Sequence, residues 1–549
     1  MIKHTISQTN GEQLLDTLHT EDRPTTEDGL HPDNNDTLCL LCISQYKQHK
    51  TVFNLIALRI FNRKCKSLLK FKSLFDFCSK HFRDGCHRSS GVGGGRWAVA
   101  VFVSTIIEQK KTSTAIPGMQ PSSQKEGNHG DISKAGSLHQ FLVQLHAQFG
   151  PIASFWWGRT RMVSICEETL FRQHTTAFNR PFEMFDLFMP LLGARSLEYA
   201  NGDDGKSRRK VYDRVFTHGS IRKYIEPFQE AADDIVRKWT SYSPGEHVPV
   251  CSHMTVFALR SVLSSLFGKA MSTDQQISQF RKIYETIWNE KLVNSTDPNE
   301  QERQLQEGKQ ELSSVLLQIF RDRKRNPPRA GEELFLDVLM EYTEDEEVQF
   351  CDALVYTIGG FHTAGNLLSW TLYYLAQYPD VQERVYAEIR GVLGDQGEVD
   401  HTNVGEFQYV RQVLDETLRC AIVVTLAGRF MDDDVTINGY VIPKNTPVIH
   451  AIGVACLNEK VFPHPEEFDP ERFSPDKTKK RGALAFIPFG FAGKRSCPGQ
   501  KFAYAEATTL VGALIRHFRL RLVPGLNIKP VHGLITHPNE EIYVTIEKR

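Results

Sequence analysis

The sequence predicts a mainly helical α+β protein with small β-sheets, and three features carry that expectation. Apolar residues recur at helical spacing over long stretches. The strand-like runs are short. From residue 113 to 549 no linker-like composition divides the chain. Of the 549 residues, 40% are hydrophobic and 24% charged, an ordinary globular composition. A net charge of −1 gives no general attraction for nucleic acid. The 11 cysteines are mostly scattered and no secretory signal peptide opens the chain. Both features favour a reducing compartment, or the cytosolic side of a membrane, over a disulfide scaffold.

Residues 1–112 read as a divergent region, partly disordered. Met1 to Asp36 is polar and aperiodic. Phe53 to Phe77 is basic and apolar, and reads either as an amphipathic helix on a membrane surface or as a weak helix with a few basic residues. Cys39, Cys42, Cys78, His81, Cys86 and His87 fit no compact two-plus-two ligand spacing, so zinc is not expected. The run Trp97 to Ile107, WAVAVFVSTII, would extend about 16 Å as a helix, roughly half a bilayer core. With Glu108, Lys110, Lys111 and then Pro117-Gly118 behind it, it reads equally as a short membrane anchor or as a buried strand or helix.

From Ser137 the periodic segments begin, with Leu138, Phe141, Leu142 and Leu145 on one helical face and Ser137 as N-cap. Gly150-Pro151 ends that helix, and IASFWW and RMVSI form a hairpin around Gly158-Arg159. Helices are predicted near 221–240, 253–267, 275–290 and 301–324. A long apolar helix from Asp352 to Tyr374 contains Gly359-Gly360, and helices follow at Pro379–Leu393 and Val404–Arg419. Short strands lie around Asn438-Gly439, a last helix spans about 500–518, and IYVTIE is a closing strand.

Three motifs stand in order. Glu416 and Arg419 share a helix face, a pattern that is usually a solvated pair. Arg472, in FDPERF, lies where it could reach a buried carboxylate and tie loop to helix. Cys497 follows in FGFAGKRSCPGQKFA, and three roles are open to it: core cysteine, redox thiol or metal ligand. Gly493 and Gly499 permit a tight turn and close approach to a flat ligand. The start of a helix after Pro498 stabilises a thiolate, and Arg495 can neutralise a carboxylate on the ligand's rim. A lone sulfur ligand suits haem iron better than zinc. A redox thiol shares the low-pKa surroundings but leaves the glycines and the other two motifs unaccounted for.

This set resembles the cytochrome P450s, the haem-thiolate monooxygenases, whose pattern here is F-x-x-G-x-R-x-C-x-G. Gly493, Arg495, Cys497 and Gly499 match it, whereas Phe489 stands one residue too far from Cys497. The similarity extends over about 116–549 and is nearest the orphan family 20 branch, through GSLHQFLVQLHAQFGPIASFWWGR, GFAGK and EEIYVTIEKR. The resemblance implies a cytochrome P450 fold for 113–549. It implies haem b, with Cys497 as the proximal iron ligand and Glu416, Arg419 and Arg472 as a structural triad. It further implies O2, a small lipophilic substrate, electrons from NADPH through a cytochrome P450 reductase-type donor, and membrane association. The endoplasmic reticulum, with the catalytic domain in the cytosol, is the location expected of such a protein.

The departures from the pattern define further expectations. On the distal helix the run is Gly359-Gly360-Phe361-His362-Thr363, with His362 where the family carries an acid. The glycines leave room for dioxygen, Thr363 can hold a proton-delivering water, and His362 either relays protons or fills a groove. Gly205 occupies the place of a propionate-contacting tryptophan, leaving Arg209 and Arg429 as propionate partners or as surface arginines. The prolines usual after the ExxR helix are replaced by CAIVV. A displaced Phe489 is expected to loosen packing behind the sulfur and to alter the reduction potential. Lys477, Lys479, Lys480 and Arg481 read as a solvated loop or a docking point for an acidic reductase. Alternatives to the monooxygenase are a haem-thiolate isomerase or dehydratase working without a reductase, and a non-catalytic haem-binding protein.

Overall fold

The computed structural model describes residues 115–288, 298–329, 331–394 and 397–549. The expectations for 1–112, including the zinc pattern and the 97–107 anchor, lie outside the described residues. The principal helices are α1 (Leu138–Phe149), α2 (Gly202–Tyr212), α3 (Ile225–Thr240), α4 (Val250–Phe267), α5 (Asp274–Trp288) and α6 (Pro298–Arg325). They continue with α7 (Phe335–Tyr342), α8 (Glu346–Gln377), α9 (Pro379–Leu393), α10 (Gln408–Ala421) and α11 (Gln500–His517). Each helix predicted within the described residues is present, with ends shifted by a few residues. The central helix is longer than predicted: α8 runs through Gly359-Gly360 without a break. Its start is fixed by Asp345, whose side chain accepts from the Glu347 and Val348 amides.

The strands are β1 (Ile152–Trp157), β2 (Thr160–Ile165), β3 (Val248–Pro249), β4 (Ala427–Arg429), β5 (Val435–Ile437), β6 (Tyr440–Ile442), β7 (Val448–His450), β8 (Phe518–Leu522), β9 (Pro530–His532), β10 (Thr536–Pro538) and β11 (Tyr543–Lys548). One sheet has the order β1-β2-β7-β4, with β2 and β7 parallel, and a second has the order β3-β11-β8. The β1–β2 hairpin pairs Trp157 with Thr160, as the sequence predicts. Asn438 and Gly439 both have positive φ, the two-residue turn that suits the β5–β6 hairpin.

The helical core forms around α8. Leu354, Leu368, Leu372 and Leu375 of α8 are buried in one continuous cluster with Leu259 and Leu263 of α4 and Leu510 and Leu514 of α11. Helix α8 is apolar on almost every face and has little amphipathic pattern, as expected of a helix enclosed over most of its length. Val250–Met271 is long and apolar enough to cross a membrane, but two thirds of it is buried in this core. Two smaller clusters lie beneath the first sheet, one of them seating Phe141 against Phe155.

Candidate active site

The Cys497 loop is a tight connection into α11. Cys497 N–H donates to the Phe489 carbonyl at 2.8 Å, and Gly493 N–H to the Thr175 carbonyl at 2.7 Å. Gly493 has φ +60°, and a methyl group there would overlap the Ala177 carbonyl, so this position requires glycine on both counts. Gly499 is the N-cap of α11, and its amide hydrogen-bonds the Cys497 sulfur. Cys497 has accessible surface. Burial nevertheless raises its pKa, opposed by the Gly499 amide and Arg209. The Cys497 sulfur is thus crowded by its neighbours and still open to a ligand.

The one-residue offset of Phe489 does not leave it loose. Gly490, with φ +71°, takes up the additional residue. The Phe489 ring packs on Tyr504 of α11 at 5.2 Å and joins the main core. Phe491 turns the other way, onto His450 at 4.7 Å.

Arginines surround the loop. Arg495 is 2% exposed and donates to the carbonyls of Leu197, at 3.0 Å, and of Ala200, while its guanidinium lies 4.6 Å above the Phe178 ring. Arg429, at the end of β4 and 4% exposed, donates to the Arg495 carbonyl at 3.1 Å. Arg209 of α2, 6% exposed, donates to the Ser496 carbonyl at 2.7 Å and to Asp213 at 2.8 Å. Both Arg209 and Arg429 are therefore buried, which removes the surface-arginine alternative. Arg180, partly buried, pairs with Glu198. Gly205, in the tryptophan's place, packs where a methyl would overlap the Ala200 carbonyl.

Four guanidinium groups thus gather beside the loop with two carboxylates, Glu198 and Asp213. Burial pulls Arg495 down to about 8 and Arg429 down to about 9. The Nε atoms of both are buried without a partner. A buried site short of two negative charges is the environment that a dianionic group satisfies. The two propionates of haem b match that requirement, and the flanking thiol matches its iron.

Helix α8 carries the second group of predicted residues. Gly359 is exposed although the helix is otherwise largely buried, and a methyl at Gly359 would meet nothing within 4 Å. Gly360 instead lies against Val262 of α4. Thr363 Oγ1 donates to the Gly359 carbonyl at 2.7 Å, which leaves its lone pairs available as acceptors. His362 is held by Tyr284 of α5, with the hydroxyl 3.2 Å from Nδ1. Burial lowers its pKa to about 4. Tyr356, one turn before Gly359, lies within electrostatic reach of both Arg209 and Cys497, so this part of α8 is near the Cys497 loop.

The triad residues meet in the core. Glu416 and Arg419 are both 0% exposed and joined by two bonds of 2.7 Å, so this ExxR is not a solvated pair. Arg472 Nε lies 3.2 Å from Glu416. Arg419 donates to the carbonyls of Pro465 and Glu467, and Arg472 to that of His464. These bonds fasten the 463–469 loop onto α10. The basic run is divided: Lys477, Lys479 and Lys480 are exposed on a short helix, Pro475–Lys480, while Arg481 stacks on Phe462 and Phe473.

Sequence reasoning missed Tyr284, Tyr356, Arg180 and the buried pair His174–His450, 2.8 Å apart. Tyr356 shares α8 with the distal motif but lies outside it, the others belong to other elements than the motifs, and no local spacing marks any of them.

The cytochrome P450 family model matches residues 117–546. The chain belongs to the cytochrome P450 family: it is a monooxygenase-type oxidoreductase whose cofactor is haem b. Cytochrome P450 20A1 of Bos taurus is 31% identical over 445 residues, covering 80% of this chain and 94% of the relative. The Mus musculus protein of the same name is 32% identical over the same shares. These relatives place the chain in the family 20 branch. Cyclooctat-9-en-7-ol 5-monooxygenase of Streptomyces melanosporofaciens is 26% identical, covering 71% of this chain and 86% of the relative.

Proposed function

We propose that this monooxygenase oxidises a small lipophilic substrate, using electrons drawn from NADPH through a cytochrome P450 reductase-type donor. The observation that carries the site assignment is the accessible Cys497 sulfur beside buried arginines short of anions. In this reading Cys497 holds the iron, with the Gly499 amide steadying the sulfur's negative charge. Arg209, Arg429 and Arg495 hold the propionates, joined by Arg180. The bound haem supplies the oxygen chemistry, and thiolate ligation favours O–O cleavage. Gly359 leaves room for dioxygen, and Thr363 with His362 holds the water that delivers protons. The Streptomyces relative's named substrate, a hydrocarbon-rich alcohol, supports the lipophilic class.

Residues 113–549 form the catalytic domain in this proposal. Residues 97–107 attach it to the endoplasmic reticulum membrane, with the domain on the cytosolic side.

The test is the carbon monoxide spectrum of the reduced protein, for wild type and Cys497→Ser. A thiolate-type Soret band that disappears on substitution is expected. A band typical of nitrogen ligation in the wild type overturns the assignment. Oxygen consumption that requires both NADPH and reductase is the expected behaviour for the electron source.

A further inference from the structure

Tyr504 lies on α11, seven residues past Cys497, and is also joined to it through Phe489. The Phe489 carbonyl accepts the Cys497 N–H at 2.8 Å, and the Phe489 ring packs on the Tyr504 ring at 5.2 Å. Two close contacts thus lead from the sulfur's own residue to a tyrosine that is 8% exposed. The Tyr504 hydroxyl donates to Asp415 Oδ1 on α10. Arg411, one turn before Asp415, donates to Asp415 Oδ2 at 3.0 Å and lays its guanidinium 3.4 Å over the tyrosine ring. A cation against the ring face favours an electron-rich ring, so it opposes any electron loss that leaves the ring positive. An electron therefore leaves Tyr504 together with the phenol proton, and Asp415 already holds the hydrogen bond along which that proton moves. Tyr356 of α8 differs. It too lies within electrostatic reach of Cys497, but its hydroxyl is buried without a partner, so no base receives its proton.

We propose that Tyr504 is a redox-active side chain, with Asp415 as its proton acceptor, that reduces the haem when peroxide has oxidised it and no substrate is present to react. Tyr504 gives one electron to the oxidised haem, its O–H bond breaks, and an O–H bond forms at Asp415 Oδ1. A neutral tyrosyl radical and a neutral carboxylic acid result. A small reductant, ascorbate or a thiol, then supplies one electron to the ring, and Asp415 returns the proton. Peroxide removes two electrons from the haem, and two such cycles restore them. Arg411 is 48% exposed, so the cluster opens to solvent where the reductant arrives. The inference rests on the reading of Cys497 as the iron ligand. Burial supports it by raising the pKa of Tyr504 well above its ordinary value, so that it rests as a phenol. Burial also raises that of Asp415 against the pull of Arg411, which makes its carboxylate a better base.

The test mixes the substrate-free holoprotein with hydrogen peroxide, freezes it within milliseconds and records the electron paramagnetic resonance spectrum. A tyrosyl signal, identified by its narrowing in protein made with ring-deuterated tyrosine, is expected in the wild type. It should fall at least fivefold in Tyr504→Phe and in Asp415→Asn, and stay at the wild-type level in Tyr356→Phe. Tyr504→Phe retains the ring that packs on Phe489, and an unchanged carbon monoxide band shows that the fold and the haem are kept. With ascorbate present, bleaching of the haem by peroxide should run severalfold faster in Tyr504→Phe than in the wild type. A wild-type protein without a tyrosyl signal, a signal that survives in Tyr504→Phe or in Asp415→Asn, or bleaching unmoved by Tyr504→Phe overturns the proposal. Failure of the functional reading itself looks different: the thiolate-type carbon monoxide band would be missing from the wild type before any peroxide is added.

Discussion

Two glycines of the site are required for opposite reasons, and substitution separates them. Gly493 sits at φ +60° with the Ala177 carbonyl where a side chain would go, and Lys494 follows at φ +57°. Alanine at position 493 has to adopt a left-handed conformation and displace the 175–178 backbone. Such strain costs on the order of 1–3 kcal/mol. Gly493→Ala is therefore expected to lower both the melting temperature and the haem content per mole of purified protein; wild-type values for both would contradict this. Gly359 is helical, with open space where a methyl would go. Alanine there gains up to about 1 kcal/mol of helix propensity while placing a methyl in that open space. Gly359→Ala should be as stable as the wild type, or more so, but should bind carbon monoxide more slowly after flash photolysis. Destabilisation of this variant would mean that Gly359 does not face open space.

Two buried carboxylates hold the elements that carry the site. Glu416 of α10 accepts from Arg419 and the Asp469 amide and pairs with Arg472, and so holds the 463–469 loop on α10. Asp352 of α8 receives the Tyr212 hydroxyl at 2.8 Å and Arg208 at 3.2 Å, and so ties α2, which carries Arg209, to the central helix. Removing one partner of such a cluster leaves a buried charge without compensation, which costs about 3–5 kcal/mol. Glu416→Ala strands two arginines and is expected to destabilise the protein by that order, read from urea unfolding, with loss of haem. Asp352→Asn keeps the shape and part of the hydrogen bonding, so a loss of about 1–3 kcal/mol is expected. If Glu416→Ala unfolded at the wild-type urea concentration, the anchoring role of the cluster would be lost.

At the scale of the whole molecule, what the sequence disclosed follows from how far each signal reaches. The helices were legible because their apolar period is local, and the Asn438-Gly439 hairpin because its turn is. The Cys497 segment was legible because its glycines, arginine and sulfur lie within seven residues. Burial was not legible: an ExxR pair looks the same in water and in a core, and only the packing of the 463–469 loop over it decides. Tyr284 meets His362 across 78 residues, and His174 meets His450 across 276, so no window of sequence contains either pair. That same burial makes stability depend on acidity. His139, His174 and His253 are buried, and burial lowers each to about 4 from an ordinary value near 6.5. They are neutral in the folded protein between those values, whereas the unfolded chain takes up protons below 6.5. The unfolded state therefore binds more protons in that window, and stability falls as pH falls from 6.5 toward 4. Each ring contributes about 1.4 kcal/mol per pH unit once its unfolded form is protonated, so the three together weaken the fold by roughly 5 kcal/mol between pH 7 and pH 5. Urea unfolding at the two pH values checks this, and His253→Phe, which also leaves the Trp239 N–H that donates to the His253 ring at 3.0 Å without its acceptor, should reduce the difference. A protein equally stable at both values would show that these rings are protonated in the folded state, and hence that water reaches them.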